Sequence, residues 1–323
     1  MAMEIPIGVA MKQVPVFGKD ITWPVHLEPK IPTMDKKLII DVAPVGALIS
    51  KKQNPTQPDN LEEIAKDVIE SYNEGAAMFH VHTREDGAAV FKPDHYKQVL
   101  DMVYKKAPDM ITSICTVSSF THEGAEHRIK PMIEPLLKFG RKYCEIAVIN
   151  PITMAIGPMP FIATPEGIEE ETKCMEDHGV KPELAAYNLP AMVVMKEHLI
   201  DTGIAKKPYF MDIACGPHNC TPTTPDPEGI INLIQVWRSL PEGAVWQAII
   251  GGRNWLPLTV LSIMLGADAV RLGKEDMVHM YPHKDDKITT CASVVRKIAT
   301  IAKELGRDIA TPSEARKIIG LKP

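Results

Sequence analysis

Beyond residue 36 the chain alternates short apolar runs with longer segments whose apolar residues recur every three to four positions, the pattern of βαβ units on a parallel sheet. Eight runs read as strands: KLIIDVA (37–43), AAMFHVH (76–82), MITSICT (110–116), YCEIAVI (143–149), KPELAAY (181–187), YFMDIAC (209–215), VWQAII (245–250) and DAVRLG (268–273). Between the first two, LEEIAKDVIESYNEG (61–75) places Leu61, Ile64, Val68, Ile69 and Tyr72 on one helical face and ends at Asn73-Glu74-Gly75, a C-cap signal. HRIKPMIEPLLKFG (127–140), which Pro131 and Pro135 should interrupt or kink, precedes the fourth strand, and GIINLIQVWRSL (229–240) precedes the seventh. CASVVRKIATIAKELG (291–306) is a last amphipathic helix ending on glycine. Together these predict an α/β fold, a (β/α)8 TIM barrel over residues 37–323, rather than an open doubly wound sheet, since no GxGxxG follows the first strand.

Residues 1–36 fall outside the repeat. Five prolines with Gly8 and Gly18 among isolated apolar residues predict an N-terminal extended arm, or a disordered end. No apolar run reaches the roughly 18 residues of a membrane span, and the first residues lack the pattern of a secretory signal. Six cysteines without a CxxC pair argue against a zinc ribbon or a disulfide framework and fit a reducing cytoplasm. With a net charge of −5 and no Lys/Arg cluster interleaved with aromatics, no nucleic-acid partner is expected.

The chemistry concentrates at strand ends. In FHVHTREDG (79–87), alternation sends His80 and His82 to one face while Phe79, Val81 and Thr83 take the other. At the C-terminal end of a barrel strand that face looks into the mouth, where two imidazoles are half of a zinc site; the plain alternative is a pair of hydrogen-bonded core histidines. The eighth strand, ADAVRLGKEDMVH (267–279), should deliver Arg271, Lys274, Glu275 and Asp276 to the same mouth. Adjacent carboxylates allow one to bind metal while the other serves as base, although Lys-Glu-Asp is equally the composition of a solvated turn.

These segments, with the Glu-Gly-Ala before FHVHTREDG, the ICT at strand three, WQAIIGGRNWLP, and the KELGRDIATPSEAR that follows VRLGKED, resemble the β-keto acid cleavage enzymes from about residue 38 onward. The resemblance implies a zinc-dependent TIM-barrel enzyme, commonly a homotetramer, that converts a β-keto acid and acetyl-CoA into acetoacetate and a new acyl-CoA. It implies His80, His82 and Glu275 as zinc ligands, Asp276 as the base that removes the C2 proton, and Arg271 as its charged partner. Cys115, where a relative has serine, Thr116 and Asn150 are the implied substrate contacts, and Val148 stands where a threonine is expected. Cys115 reads as a small buried thiol rather than a nucleophile, because the next histidines, His122 and His127, show no sign of pairing with it.

Gly251, Gly252, Arg253 and Asn254 follow strand seven, where this fold often binds phosphate; Gly252 and Arg253 are therefore candidates for CoA phosphates, against a simple tight turn. His218 and His279 are further mouth candidates. Leu48 and Ala185, with Asn188 beyond, occupy positions that would carry acid in an amino-acid-cleaving relative, which predicts a neutral or aliphatic keto acid; a trimethylammonium tail remains open if Trp255 presents its ring. Rival readings with the same metal site are an aldolase or hydrolase acting without CoA, and a zinc-stabilised oligomeric scaffold.

Overall fold

Each of the eight apolar runs becomes one strand of a closed parallel barrel. In the computed structural model, which describes residues 29–116, 125–151, 153–156, 159–216 and 227–321, the strands are β1 (Ile39–Val42), β2 (Met78–Val81), β3 (Thr83–Glu85), β4 (Ala88–Val90), β5 (Ile111–Ile114), β6 (Ile146–Ile149), β7 (Met154–Ile156), β8 (Met159–Phe161), β9 (Lys181–Ala186), β10 (Tyr209–Cys215), β11 (Ala244–Ile250) and β12 (Ala269–Leu272). The barrel order is β1-β12-β11-β10-β9-β6-β5-β2. Pairs such as His80↔Ser113, Asp41↔Arg271 and Asp212↔Gln247 set its register.

Two antiparallel hairpins, β3-β4 and β7-β8, were not anticipated. The first turns on Asp86-Gly87, both at positive φ (50° and 75°), the tight turn that Asp-Gly favours. It sits directly after the histidine pair. The helix at Leu61–Asn73 forms as expected, capped by Asn60, whose side chain accepts from the Glu63 amide. The segment predicted at 127–140 is two helices, Ala125–Arg128 and Lys130–Leu137, divided at Ile129, with Pro131 in the first turn of the second and Pro135 inside it.

A helix at Pro312–Ile319, closed by a capping box between Thr311 and Glu314, was not read from the sequence. Its Ala315 and Ile319, with Leu321, pack on Ile39, Met78, Ile111, Ile146, Phe210 and Ala269 at the N-terminal end of the barrel. That end is closed by apolar side chains. Contacts divide the chain into Met1–Pro32 and Thr33–Pro323; residues 1–28, and with them most of the expected arm, lie outside the described residues, as do His122 and His218. Among the described residues, no helix is long and apolar enough to cross a membrane.

Candidate active site

The mouth of the barrel gathers the residues that the histidine pair pointed to. His80, in β2, and His82, just beyond it, are both buried with ring centroids 5.1 Å apart. Glu275 faces them across the mouth: its Oε1 is 3.3 Å from His82 Nε2 and its Oε2 is 3.8 Å from His80 Nε2. Both separations are within reach of atoms that share one zinc ion at bonds of about 2.0–2.1 Å. Glu275 Oε2 is buried and accepts no hydrogen bond among the described residues. A carboxylate oxygen in that condition, aimed at imidazole nitrogen, fits a divalent cation between them.

Cys115 also belongs to this cluster. One ligand atom each from His80, His82 and Cys115 lies within 4.8 Å of the others. The histidines beside the thiol are thus the preceding pair on the neighbouring strand, a correction to the search among following histidines; spatial adjacency in a sheet does not follow sequence order.

Two glycines make the arrangement possible. β12 leaves the barrel through Gly273 at φ 146°, where a Cβ would fall 2.1 Å from the Ala43 carbonyl oxygen. The Glu275 amide then donates to that same oxygen at 3.1 Å, which turns the carboxylate inward. Gly46, after β1, leaves space for it: a Cβ there would lie 2.4 Å from Glu275 Cγ. Arg84 of the hairpin, buried at the site's edge, clamps this loop by donating from Nε to the Gly46 carbonyl at 3.2 Å and from Nη2 to that of Ile49.

Arg271, in β12, donates from Nη2 to Asp276 Oδ2 at 2.7 Å and to Glu275 Oε1 at 3.3 Å, all three groups being buried. Burial alone would push the Glu275 carboxyl up, but Arg271, His82 and His80 outweigh it and hold it well below the carboxylate range. For His82, burial is likewise overcome by Cys115 and Glu275, which push it up to about 10. The acidic surroundings stabilise positive charge at this spot, and a divalent cation there competes with the proton.

Lys274 does not enter the mouth. Past the end of β12 the chain turns, and the Lys274 Nζ reaches Asp67 Oδ2 at 2.8 Å and the Thr56 carbonyl at 2.7 Å. Thr116 gives its hydroxyl to the Val148 carbonyl at 2.7 Å, and Asn150 Oδ1 accepts from Tyr187 at 3.0 Å. The Gly252 amide donates to the Asp276 carbonyl at 2.8 Å, at φ 75°. Arg253 reaches His279 Nε2 at 3.0 Å and the exposed Asp285 at 2.8 Å. Trp255, read as a mouth aromatic, is fully buried with its Nε1 donating to the His279 carbonyl at 2.8 Å, so its face is not offered to a cation. Asn188 caps the helix Leu189–Met195. Val148, Ala185, Tyr187, Ala214 and Ile249 form a buried apolar cluster on β6, β9, β10 and β11, across the barrel from β1 and β2.

Among curated proteins, the 3-keto-5-aminohexanoate cleavage enzyme of Fusobacterium nucleatum subsp. nucleatum is 30% identical over 291 residues, covering 90% of this chain and all of that protein. The 3,5-dioxohexanoate:acetyl-CoA acetone transferase of Paraburkholderia graminis is 27% identical, covering 89% of this chain and 96% of the relative. The solved structure of ObcA in binary complex with oxaloacetate shares the fold, with a TM-score of 0.69 at 18% identity over 83% of this chain and 68% of that one. The family model described as beta-keto acid cleavage enzyme matches residues 37–321, and the chain belongs to that family.

Proposed function

We propose that the protein is a zinc-dependent enzyme that condenses a β-keto acid with acetyl-CoA, giving acetoacetate and a new acyl-CoA. The convergence of His80, His82 and Glu275 beside an Arg271–Asp276 pair carries this reading. His80, His82 and Glu275 would hold the metal. A bound zinc supplies Lewis acidity toward the keto oxygen, making the C2 proton more acidic. Asp276 takes that proton. An ordinary aspartate is a weak base, so Arg271, at 2.7 Å, serves to aim the carboxylate at C2 while its charge is shared with Glu275.

Cys115, Thr116 and Asn150 line the substrate space; with the Thr116 hydroxyl bonded to backbone, its contribution is to shape the wall. Arg253 is the candidate for CoA phosphates, exchanging the exposed Asp285 for phosphate, and Gly252 supplies the turn that brings it there. The apolar cluster of Val148, Ala185, Ala214 and Ile249, with exposed Leu48 at the rim, suits a neutral or aliphatic acyl tail.

Relatives named for acetyl-CoA-dependent transfer favour the thioester reading over an aldolase or hydrolase acting without CoA. A coupled acetoacetate assay over a panel of β-keto acids, with and without acetyl-CoA, beside elemental analysis of the purified protein, tests the reading. Turnover that does not need acetyl-CoA would replace it with the aldolase or hydrolase.

A further inference from the structure

Below the mouth, the barrel interior is polar. Asp41 on β1, Glu183 on β9, Asp212 on β10 and Gln247 on β11 are fully buried. Gln247 Nε2 lies 3.1 Å from Glu183 Oε1, 3.2 Å from Asp212 Oδ1 and 3.4 Å from Asp41 Oδ2, so its two hydrogens serve three carboxyls, Glu183 the nearest. On its other side, Glu183 Oε2 accepts from the hydroxyl of Ser113 on β5, and Ser113 Oγ lies 3.3 Å from His80 Nδ1. A continuous path of hydrogen bonds therefore runs from the barrel centre to the first candidate metal ligand. The chemistry proposed above uses none of these groups.

Proton counting gives the path a direction. A serine hydroxyl has one hydrogen, and a carboxylate can only accept, so Ser113 gives its hydrogen to Glu183. Toward His80 the serine oxygen must then accept. His80 Nδ1 accordingly carries the ring hydrogen, and Nε2, which faces Glu275 Oε2 at 3.8 Å, keeps its lone pair. The carboxylates nearby support Glu183 as the acceptor. Gln247 and Ser113 donate to its two oxygens, Oε1 and Oε2. Burial raises the Glu183 carboxyl too, but hydrogen bonds from Asp212 and Ser113 counter it, while burial and then the charge on Glu183 push Asp41 and Asp212 well above the carboxylate range.

We infer that Ser113 and Glu183 are positioning residues for metal binding: their relay fixes His80 as the Nδ1–H tautomer and aims Nε2 at the cation. This rests on His80 being a metal ligand. It also makes a directional claim that a merely structural role does not. In Glu183→Gln, the Gln247 amide nitrogen selects the new carbonyl oxygen, which turns the new amide nitrogen toward Ser113. Ser113 then donates to His80 Nδ1, and the ring hydrogen moves to Nε2, the atom that should bind metal. Ser113→Ala removes the preference without reversing it.

The test is zinc affinity, measured by competition with a chromophoric chelator, for the wild type, Ser113→Ala, Ser113→Thr and Glu183→Gln, beside the melting temperature of each zinc-free protein. Losses of about 10-fold for Ser113→Ala and nearer 100-fold for Glu183→Gln are expected, with zinc-free stability close to wild type and affinity restored by the threonine hydroxyl. Wild-type affinity in both Ser113→Ala and Glu183→Gln overturns the relay while leaving the metal site standing. Losses that only follow a fall in zinc-free melting temperature overturn it as well. A wild type that binds no zinc overturns the metal reading, and the relay with it.

Discussion

Gly46 and Glu275 occupy each other's space: a single Cβ on Gly46 would come within 2.4 Å of Glu275 Cγ. The backbone there is not in the left-handed region, so the requirement is purely for room. Gly46→Ala should leave the barrel folded, displace the Glu275 carboxylate by a fraction of an ångström or more, and weaken zinc binding roughly 10-fold to 100-fold. Chelator competition together with a melting curve separates this from unfolding; unchanged zinc affinity would mean that Glu275 is not a ligand or that the loop yields freely.

The purified protein is expected to carry about one zinc per chain, lost along with activity in His80→Ala and His82→Ala. Cys115 supplies a competing donor next to both rings. Glu275→Gln should lose most of the metal and Cys115→Ser should keep it. If elemental analysis returns the reverse, the thiol is the third ligand.

Asp276→Asn should retain zinc and fold yet abolish exchange of the C2 proton of a β-keto acid with deuterium oxide. Arg271→Met removes the partner at 2.7 Å and should slow the same exchange by about 10-fold or more. Wild-type exchange in Asp276→Asn, followed by proton NMR, would assign the base elsewhere.

The apolar cluster of Val148, Ala185, Ala214 and Ile249 implies discrimination between tails. A matched pair of aliphatic and amino-substituted β-keto acids should differ by roughly 10-fold or more in kcat/KM in favour of the aliphatic one, since a buried cation without a carboxylate is costly. Trp255, sealed in the core, gives a trimethylammonium group no ring face. Equal kcat/KM values for the pair would show that acid reaches the tail from another element.

Stability should carry a signature of Glu171, buried against Arg128 Nη1 at 2.9 Å. Burial lifts its carboxyl to about 7, against the pull of Arg128. A carboxyl whose folded value exceeds its unfolded one, about 4.3, contributes stability fully below that lower value and loses it as pH rises through the folded value. The melting temperature of the wild type relative to Glu171→Gln should therefore fall between about pH 4.5 and 7. Parallel curves for the two proteins would remove Glu171 as the cause.

The barrel was legible because each strand is an apolar run and the runs recur at regular intervals. The metal ligands were legible for a different reason: two histidines two residues apart cannot avoid sharing a face. The buried polar network was missed, although its trace is plain once the strands are aligned. KLIIDVA, MITSICT, KPELAAY, YFMDIAC and VWQAII each place a polar residue inside the apolar run, at Asp41, Ser113, Glu183, Asp212 and Gln247. The hairpin turn Asp86-Gly87 was hidden because its strands, only three residues each, lack the alternating apolar flanks that usually announce one. Gly46 and Arg84 could not have been found locally, since each matters through a partner far along the chain.

The helix Pro312–Ile319 makes the barrel a blind-ended vessel. Nothing can leave by the floor, so both reactants and both products must pass the same rim. In the proposed reaction the two reactants would share a single entrance, so whichever binds nearer the rim would govern the exit of the other.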